Sequence, residues 1–298
     1  MIKLIASDMD GTLLNDKHDI DKETIEAIKR AEDKGIVFAI STGREYDSVK
    51  GVLEKHKIRC QCVLSNGAEY RDEDGNVIDY VNIDENIAKD IMYILDENKL
   101  SGRIFTNKGV YTTSTREEAL KETAYRTKTF NPHLTIEEAT EVAKNEQFFK
   151  TLKFVNSVEE FFNEGIEVRK FVAFNDDVEL INRVKKSMKK INGLAVSSSF
   201  EDNIEITDEQ AQKGIILEKV SKKMGLKNEE VMIIGDSFND SSMFEIFEES
   251  VAMKNAIPEI KKMAKYITDY NYKLGVCKAI DAVLDNELHK MKVDNYNR

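Results

Sequence analysis

The alternation of short apolar runs with helical segments at both ends of the chain is the feature that most constrains the fold. The first part has the order IKLIAS, DKETIEAIKRAEDKG, IVFAIST, EYDSVKGVLEKH and CVLSNGA, and the last part has the runs EEVMIIGD, SVAMKN and KYITD with helical stretches between them. Strands that alternate with helices are typical of a parallel sheet covered on both faces. The sequence therefore predicts an α/β fold with a doubly wound, mainly parallel (Rossmann-like) core sheet.

The middle of the chain has a different pattern. It carries long charged helical segments such as ENIAKDIMYILDENK, and isolated predicted strands such as QFFKTLKFV and RKFVAFN. None of these strands ends in a turn of glycine and aspartate. We therefore expect an inserted α+β domain over residues 83–192, with residues 1–82 and 193–298 forming one discontinuous core. The last stretch, LHKMKVDNYNR, is expected to be a solvated tail.

The composition disfavours several classes of function. The formal net charge is −11, and nonspecific binding to nucleic acid or to an anionic membrane needs a basic surface. The N-terminus MIKLIASD has too short an apolar run for a signal peptide, and no apolar stretch approaches the ~20 residues of a membrane-spanning helix. We expect no nucleic-acid partner, no membrane partner, and a monomer or weak homodimer.

The three cysteines, Cys60, Cys62 and Cys277, do not form a recognisable site. They are odd in number, contain no CxxC pair and have no histidine nearby, which argues against a disulfide framework and against a zinc site. Buried free thiols are the expected state, and they suit a cytoplasmic protein.

Polar residues follow the predicted parallel strands at four places. Asp8 and Asp10 follow the first strand, STGR (residues 41–44) follows the second, SNGA follows the third, and GDSFND with Asp236, Asn239 and Asp240 ends a later one. Lys213 begins a helix just before that later strand. Ligands of open α/β sheets bind at the carboxyl ends of the strands. We therefore expect these side chains to meet in one cleft.

The residue types in this cleft indicate chemistry on a phosphate group. Several carboxylates in one place repel one another and acquire raised pKa values unless a cation lies among them. Oxygen ligands without histidine or cysteine suit Mg²⁺, which keeps coordination positions for water and substrate phosphate. A lysine beside a Thr-Gly turn offers a fixed cation, a hydroxyl and backbone N–H groups to a phosphate.

The same motifs identify a resemblance to a known family. The chain resembles the haloacid dehalogenase-like hydrolases, in particular the Cof-type phosphatases with a large C2-type cap domain inserted between the second and third motifs. DMDGTLL matches the first motif, STGR the second, QKG with Lys213 the third and GDSFND the fourth. The matches extend over most of the chain, since VAMKNA and LGV resemble later landmarks of the family.

The resemblance implies a role for each catalytic residue. Asp8 is expected to be the nucleophile that takes the phosphoryl group as an aspartyl-phosphate. Asp10 is expected to protonate the leaving alkoxide and then to take a proton from the hydrolytic water. Thr42 and Lys213 are expected to hold the phosphoryl oxygens.

The resemblance also implies further ligands of the phosphate and the metal. Backbone N–H groups of Met9 and Gly43 and the side chain of Asn239 are expected to contact the phosphate. The expected cofactor is Mg²⁺, held by Asp8, Asp236 and the backbone carbonyl of Asp10. Asp240 is expected to be a partner of Lys213 or of the metal.

The expected function is therefore a Mg²⁺-dependent phosphatase that acts on small phosphorylated metabolites. Sugar phosphates are the leading class, followed by nucleotides and by cofactor phosphates such as flavin mononucleotide. Two alternatives stay open: a phosphomutase that uses the same aspartyl-phosphate, and a regulatory protein that binds a phosphorylated ligand with little turnover. For Arg44, contact with the substrate phosphate and a surface ion pair are both open.

Overall fold

The computed structural model describes residues 1–131 and 133–293, except for the side chains of residues 129 and 130. The chain divides into two compact units. The first contains residues 1–81, 197–199 and those from 209 onward, and the second contains residues 82–196 and 200–208. The second unit extends past residue 192, where the sequence interpretation ended the insertion, because the strand Asn203–Asp208 pairs with a central strand of its sheet.

The first unit is built on an eight-stranded sheet. In sheet order its strands are β14 (Tyr266–Ile267), β13 (Ser250–Ala252), β12 (Val231–Gly235), β1 (Leu4–Ser7), β2 (Val37–Ser41), β3 (Gln61–Leu64), β4 (Glu69–Arg71) and β5 (Val77–Tyr80). The strands from β14 to β3 pair in parallel, whereas β4 and β5 are antiparallel. The strands β4 and β5 thus form a hairpin at one edge of the sheet.

Continuous apolar runs explain the central strands of this sheet. All residues of β1 and β12 are buried, as expected for parallel strands that have both faces covered. The helices of this unit are α1 (Lys22–Asp33), α2 (Tyr46–His56), α9 (Lys213–Lys223), α10 (Ser241–Ile246), α11 (Pro258–Met263) and α12 (Gly275–Leu284). The helix α1 ends before Gly35, whose φ of +78° is a conformation that glycine adopts at low cost.

The second unit contains a six-stranded sheet and the remaining helices. In sheet order the strands are β10 (Leu194–Ser197), β11 (Asn203–Asp208), β9 (Val168–Phe174), β6 (Gly102–Thr106), β7 (Gly109–Thr112) and β8 (Lys153–Phe154). The helices are α3 (Glu85–Glu97), α4 (Arg116–Phe130), α5 (Ile136–Asn145), α6 (Gln147–Thr151), α7 (Val158–Asn163) and α8 (Val178–Met188). Its apolar core lies between one face of the sheet and the helices α3, α7 and α8.

The predicted fold class is confirmed: the core is a mainly parallel α/β sheet, and a separate α+β unit is inserted in the chain. Two local expectations are wrong. QFFKTLKFV was expected to be a strand, but Gln147–Thr151 is helical and the strand is confined to Lys153–Phe154. A short apolar run does not by itself distinguish a strand from a buried helical turn.

The expected solvated tail is also partly wrong. Leu288 and Met291 pack against the core, and the Val293 N–H donates to the Lys265 carbonyl at 3.1 Å. Residues 294–298 lie outside the described part of the chain.

Two further expectations concern the whole chain. Cys60, Cys62 and Cys277 are buried free thiols, as expected. Within the described residues, no helix combines the length and the apolar character needed to cross a membrane.

Candidate active site

Asp8 lies at the carboxyl end of the central strand β1. Its N–H donates to the Ile234 carbonyl at 2.9 Å, which continues the parallel pairing with β12 by one residue. The residue is buried, with 4% of its surface exposed. A turn over Met9–Leu13 follows directly, and Gly11 in that turn has a φ of +77°. The strand therefore delivers Asp8 to a fixed position at the edge where the sequence predicts a cleft.

Lys213 joins two of the buried carboxylates. It begins α9 and is fully buried, and its Nζ donates to Asp8 Oδ1 at 2.7 Å and to Asp240 Oδ1 at 2.6 Å. The other oxygen of Asp240 accepts the backbone N–H groups of Asp236 and Ser237 at 2.9 and 3.0 Å. Asp240 thus connects the loop after β12 to Lys213 and holds the ammonium group against Asp8.

The burial of these charges shifts their pKa values. Burial raises the pKa of Asp8 to about 7, against the lowering effect of Lys213, and the charges of Asp240 and Asp10 raise it further. Burial, together with the charges of Asp8 and Asp240, also raises the pKa of Asp236. Although burial opposes it, the carboxylates of Asp240 and Asp8 raise the pKa of Lys213. The site holds more negative charge than its single lysine balances.

The carboxylates of Asp8, Asp236 and Asp240 fit a metal site. Each offers an oxygen atom, and these atoms lie within 4.8 Å of one another. Thr12 Oγ1 donates to Asp236 Oδ1 at 3.0 Å, which orients this carboxylate. A set of carboxylate oxygens suits a hard divalent cation. A cation would also offset the repulsion that raises the pKa values of Asp8 and Asp236.

Gly11 is required by the packing of this loop. A Cβ atom at this position would lie 2.5 Å from Asp236 Oδ2, which is closer than real Cβ contacts. Its carbonyl oxygen accepts Asn255 Nδ2 at 2.7 Å. Two contacts from the loops after β12 and β13 therefore fix the turn that carries Asp10.

Asp10 is paired with Arg44. Arg44 Nε donates to Asp10 Oδ2 at 2.7 Å, and Arg44 Nη2 donates to Asp10 Oδ1 at 2.6 Å. The two groups are partly exposed, with 45% of the Asp10 side chain accessible. The carboxylate of Asp10 is thus outside the group formed by Asp8, Asp236 and Asp240. Of the two possibilities left open for Arg44, the structure contains the ion pair.

Thr42 and Met9 present groups that suit a phosphate. Thr42 is fully buried after β2, and its N–H donates to the Val63 carbonyl at 2.8 Å. Its hydroxyl oxygen accepts the Arg44 N–H at 3.2 Å, which fixes the STGR turn that contains Gly43. The Met9 N–H has no acceptor among the described residues, although the Met9 side chain is fully buried. Backbone N–H groups in such a turn bind anions.

Asn239 lies in the loop after β12. Its Nδ2 donates to Asn66 Oδ1 and to Ser199 Oγ, each at 3.3 Å. Asn66 belongs to the SNGA turn after β3 and has a φ of +60°. The loops of two strands therefore meet through an amide pair, and this contact places the Asn239 side chain.

Three polar residues of the site were not predicted from the sequence: Arg44 as the partner of Asp10, Thr12 as a donor to Asp236, and Asn255 as a support of Gly11. Each follows a buried strand within a few residues. Asn255 comes directly after the apolar run SVAMK, and this position at the end of a strand is the sequence signal that could have identified it.

Comparisons with known proteins identify the family of the chain. Residues 5–280 match the haloacid dehalogenase-like hydrolase family. The Phosphatase YwpJ of Bacillus subtilis is 32% identical over 277 residues, which are 92% of this chain and 97% of that protein. The 5-amino-6-(5-phospho-D-ribitylamino)uracil phosphatase YwtE of the same organism is 32% identical over 96% of this chain and 99% of that protein.

A solved structure has the same fold over most of its length. A haloacid dehalogenase-like hydrolase from B. subtilis is 31% identical and superimposes with a TM-score of 0.82, covering 94% of this chain and 99% of that one. The sequence motifs, the fold and the relatives therefore agree. The chain belongs to the haloacid dehalogenase-like hydrolases, and it is a phosphatase of that family.

Proposed function

We propose that the chain hydrolyses small phosphorylated metabolites through an aspartyl-phosphate on Asp8, with Mg²⁺ as its cofactor. The observation that carries this proposal is the buried contact of Asp8 with Lys213, 2.7 Å long, beside the carboxylates of Asp236 and Asp240. A carboxylate attacks a phosphate dianion only where positive charge offsets the repulsion. The fixed lysine and the set of oxygen ligands both serve that requirement.

The residues that bind the phosphoryl group surround Asp8 in this proposal. Lys213 Nζ and the Thr42 hydroxyl donate to the phosphoryl oxygens, and the backbone N–H groups of Met9 and Gly43 complete the set. Asn239 donates from the loop after β12. Fixed donors of this kind stabilise the charge that develops in the transition state.

The proposed metal ligands are the carboxylates of Asp8 and Asp236 and the backbone carbonyl of Asp10. Asp240 is proposed as the partner of Lys213 and not as a metal ligand, because both of its oxygens already accept hydrogen bonds. Bound Mg²⁺ supplies positive charge that partly neutralises the carboxylates and the phosphate.

Two displacements at phosphorus make up the reaction. In the first, Asp8 Oδ attacks phosphorus, the bond between phosphorus and the substrate oxygen breaks, and Asp10 gives its proton to the departing alkoxide. In the second, Asp10 takes a proton from water, the water oxygen attacks phosphorus, and the bond to Asp8 breaks to release inorganic phosphate. In this mechanism one oxygen of Asp10 leaves Arg44 to carry the proton, while the other oxygen stays bonded to Arg44.

Sugar phosphates are the proposed substrate class. The relative YwtE is named for a substrate whose phosphate is carried by a ribityl chain, an open-chain sugar alcohol. A phosphate ester of a primary alcohol has a poor leaving group, which is the kind that benefits most from proton donation by Asp10. Nucleotides and cofactor phosphates form the second class.

The proposed setting is the cytoplasm, with a monomer or weak homodimer acting on small metabolites. The net charge of −11 supports this, since it disfavours nucleic acid and anionic membranes as partners. The buried free thiols suit a reducing compartment.

The test is a panel of phosphorylated metabolites with and without Mg²⁺, with release of inorganic phosphate as the measurement. We expect Mg²⁺-dependent release from sugar phosphates and none from the isosteric variant Asp8→Asn. If neither p-nitrophenyl phosphate nor any member of the panel yields phosphate, the proposal is wrong. An isomerised sugar phosphate without release of phosphate would instead favour a phosphomutase.

A further inference from the structure

The two faces of the sheet in the second unit have different characters. One face carries apolar residues that pack on α3, α7 and α8. The alternate residues of β6, β9 and β11 point to the other face and include five charged or polar side chains: Arg103, Lys170, Asn203, Glu205 and Thr207. A sheet face with this composition is usually exposed to water. Here much of it is buried.

Two charged residues of this polar face, Lys170 and Glu205, form an ion pair. Lys170 and Glu205 are only 3% and 5% exposed, and Lys170 Nζ lies 2.6 Å from Glu205 Oε2. Asn203 Nδ2 donates to Glu205 Oε1 at 3.2 Å. Each charge therefore has an opposite charge beside it, as buried ion pairs require.

Two arginines beside this pair are held by aromatic rings. The guanidinium carbon of Arg103, on β6, lies 4.6 Å from the ring centre of Phe148. The guanidinium carbon of Arg126, on α4, lies 3.8 Å from the ring centre of Phe174. Stacking on a ring fixes the plane of a guanidinium group and leaves its N–H edge free to bind.

The charges of the two arginines are unequally balanced. Arg103 Nη2 lies 3.0 Å from Glu122 Oε1, yet that buried oxygen accepts no well-aligned hydrogen bond from the described residues. Arg126 has neither an ion pair nor a hydrogen bond within residues 1–131 and 133–293. Burial and then the charge of Arg103 lower the pKa of Arg126 to about 10, and the attraction of Glu122, Asp202 and Glu205 offsets this only in part. Arg126 is thus a partly buried cation that forms no hydrogen bond or ion pair with the described residues, which is costly.

We propose that Arg126 and Arg103 form an anion-binding site in the second unit, which takes a phosphate or carboxylate group of a small molecule. A planar guanidinium group binds either anion through two parallel hydrogen bonds. The anion supplies the directly bonded partner that Arg126 lacks among the described residues, and relieves the repulsion between the two arginines. The site does not depend on the proposed reaction of Asp8.

Two sources can supply this anion. One is a second anionic group on the phosphatase substrate, and the other is a separate anionic molecule that acts as an effector. A guanidinium group recognises both anions in the same way. The binding measurement therefore tests the site, and the kinetic measurement distinguishes the two sources.

The binding test uses the arginine Nε–Hε signals of the full chain in NMR spectra, during a titration with inorganic phosphate at constant ionic strength. The variants Arg103→Gln and Arg126→Gln assign the two signals. We expect both signals to shift together and to saturate, while the signal of the exposed Arg183 on α8 does not shift. Two signals that stay in place, or that move only as Arg183 does, would overturn the proposal.

Stability measurements provide a second readout for the same site. Because Arg126→Met removes a partly buried charge that has no bonded partner among the described residues, we expect this variant to unfold at the same or a higher urea concentration than the wild type without phosphate. It should also lose the part of the stabilisation by phosphate that the Arg126 site contributes, and Arg126→Lys should keep some of that part. The matched control Arg183→Gln should keep all of it. Loss of stability in Arg126→Met, with its phosphate response intact, would show that Arg126 has a structural role only.

The kinetic test identifies the source of the anion. With Arg126→Met, the KM of a sugar bisphosphate is expected to rise about tenfold or more, while that of p-nitrophenyl phosphate is unchanged, if the substrate supplies the second anion. If a separate effector does, citrate should change the KM of p-nitrophenyl phosphate in the wild type and not in the variant. A protein without phosphatase activity would contradict the proposed function, while the NMR titration would still decide the anion site.

Discussion

Arg44 binds both carboxylate oxygens of Asp10, at 2.7 Å through Nε and at 2.6 Å through Nη2. The pair joins the loop after β2 to the turn after β1, so the acid–base candidate is held by a residue of a different motif. A bidentate guanidinium fixes the plane of a carboxylate as well as its charge. Arg44 is therefore a positioning residue for Asp10.

The variant Arg44→Gln tests this positioning. It should lower kcat about tenfold or more for alkyl phosphates, whose leaving alkoxides need a proton from Asp10. It should have a smaller effect on p-nitrophenyl phosphate, because p-nitrophenolate leaves without protonation. The variant Arg44→Lys keeps the charge and loses the planar guanidinium group. Its kcat for alkyl phosphates should lie between those of the wild type and Arg44→Gln. Equal losses for both substrates in steady-state assays would contradict the assignment.

Lys213 is expected to be essential for stability in the absence of metal. Lys213→Met leaves Asp8 and Asp240 buried without their cation, and removing one partner of a buried ion pair costs about 3–5 kcal/mol. Urea unfolding should show this loss, with partial recovery on addition of Mg²⁺. The control Lys219→Met changes an exposed lysine on the same helix and should alter stability by no more than about 0.5 kcal/mol. Similar effects of the two variants would rule out this role for Lys213.

Gly11 and Gly35 form a matched pair of positions. Their φ angles are +77° and +78°, but a Cβ atom would meet Asp236 Oδ2 at 2.5 Å in one case and nothing within 4 Å in the other. Both changes to alanine should cost about 1 kcal/mol in unfolding experiments, because of the backbone strain. Only Gly11→Ala should also raise the Mg²⁺ concentration for half-maximal activity, by about tenfold or more. An unchanged Mg²⁺ requirement would place the metal away from Asp236.

The raised pKa of Asp8 predicts an unusual dependence of stability on pH without metal. Because its pKa is about 7 in the folded state and about 4 when unfolded, the folded protein binds more protons between these values. The free energy of unfolding therefore decreases as pH rises through this window, by at most about 1.4 kcal/mol per pH unit. Urea unfolding with a chelator, from about pH 5.5 to about pH 7.5, measures this slope.

Two comparisons isolate the contribution of Asp8. The variant Asp8→Asn removes this titrating group and the repulsion by which Asp8 raises the pKa of Asp236, so it should reduce the slope to the part that the burial of Asp236 contributes. Saturating Mg²⁺ should suppress the slope in the wild type, because the metal favours the ionised carboxylates. A wild type that matches Asp8→Asn at every pH would show that Asp8 is ionised in the metal-free protein.

The sequence was sufficient to predict which loops form the site. Asp8, Thr42 and Asp236 follow neighbouring parallel strands, and parallel strands bring their carboxyl ends to one edge. Lys213 was predicted from its motif, and its burial between two carboxylates needs the structure because the helix start and the strand ends meet only in three dimensions. The pair of Arg44 with Asp10 depends on side-chain directions across two loops, which no residue spacing encodes.

The inserted unit was less predictable. Its sheet pairs strands that are far apart in the chain, as β9 with β11, and the predicted boundary at residue 192 therefore fell short of β11. The polar face that carries Arg103, and the stacking of Arg126 from α4 on Phe174 of that face, were also not predicted. Alternation of charged and apolar residues indicates a half-exposed strand, and the burial of its polar side follows from packing that the sequence pattern does not contain.

The phosphoenzyme is the most direct test of the central claim. Wild type and Asp10→Asn are mixed with p-nitrophenyl phosphate and Mg²⁺, quenched in acid within one turnover, and digested for mass spectrometry. The account predicts one phosphoryl group on the peptide that contains Asp8, with more of it in Asp10→Asn because that variant cannot activate the hydrolytic water, and none in Asp8→Asn. A phosphoryl group on another residue, or turnover by Asp8→Asn at the wild-type rate, would contradict it.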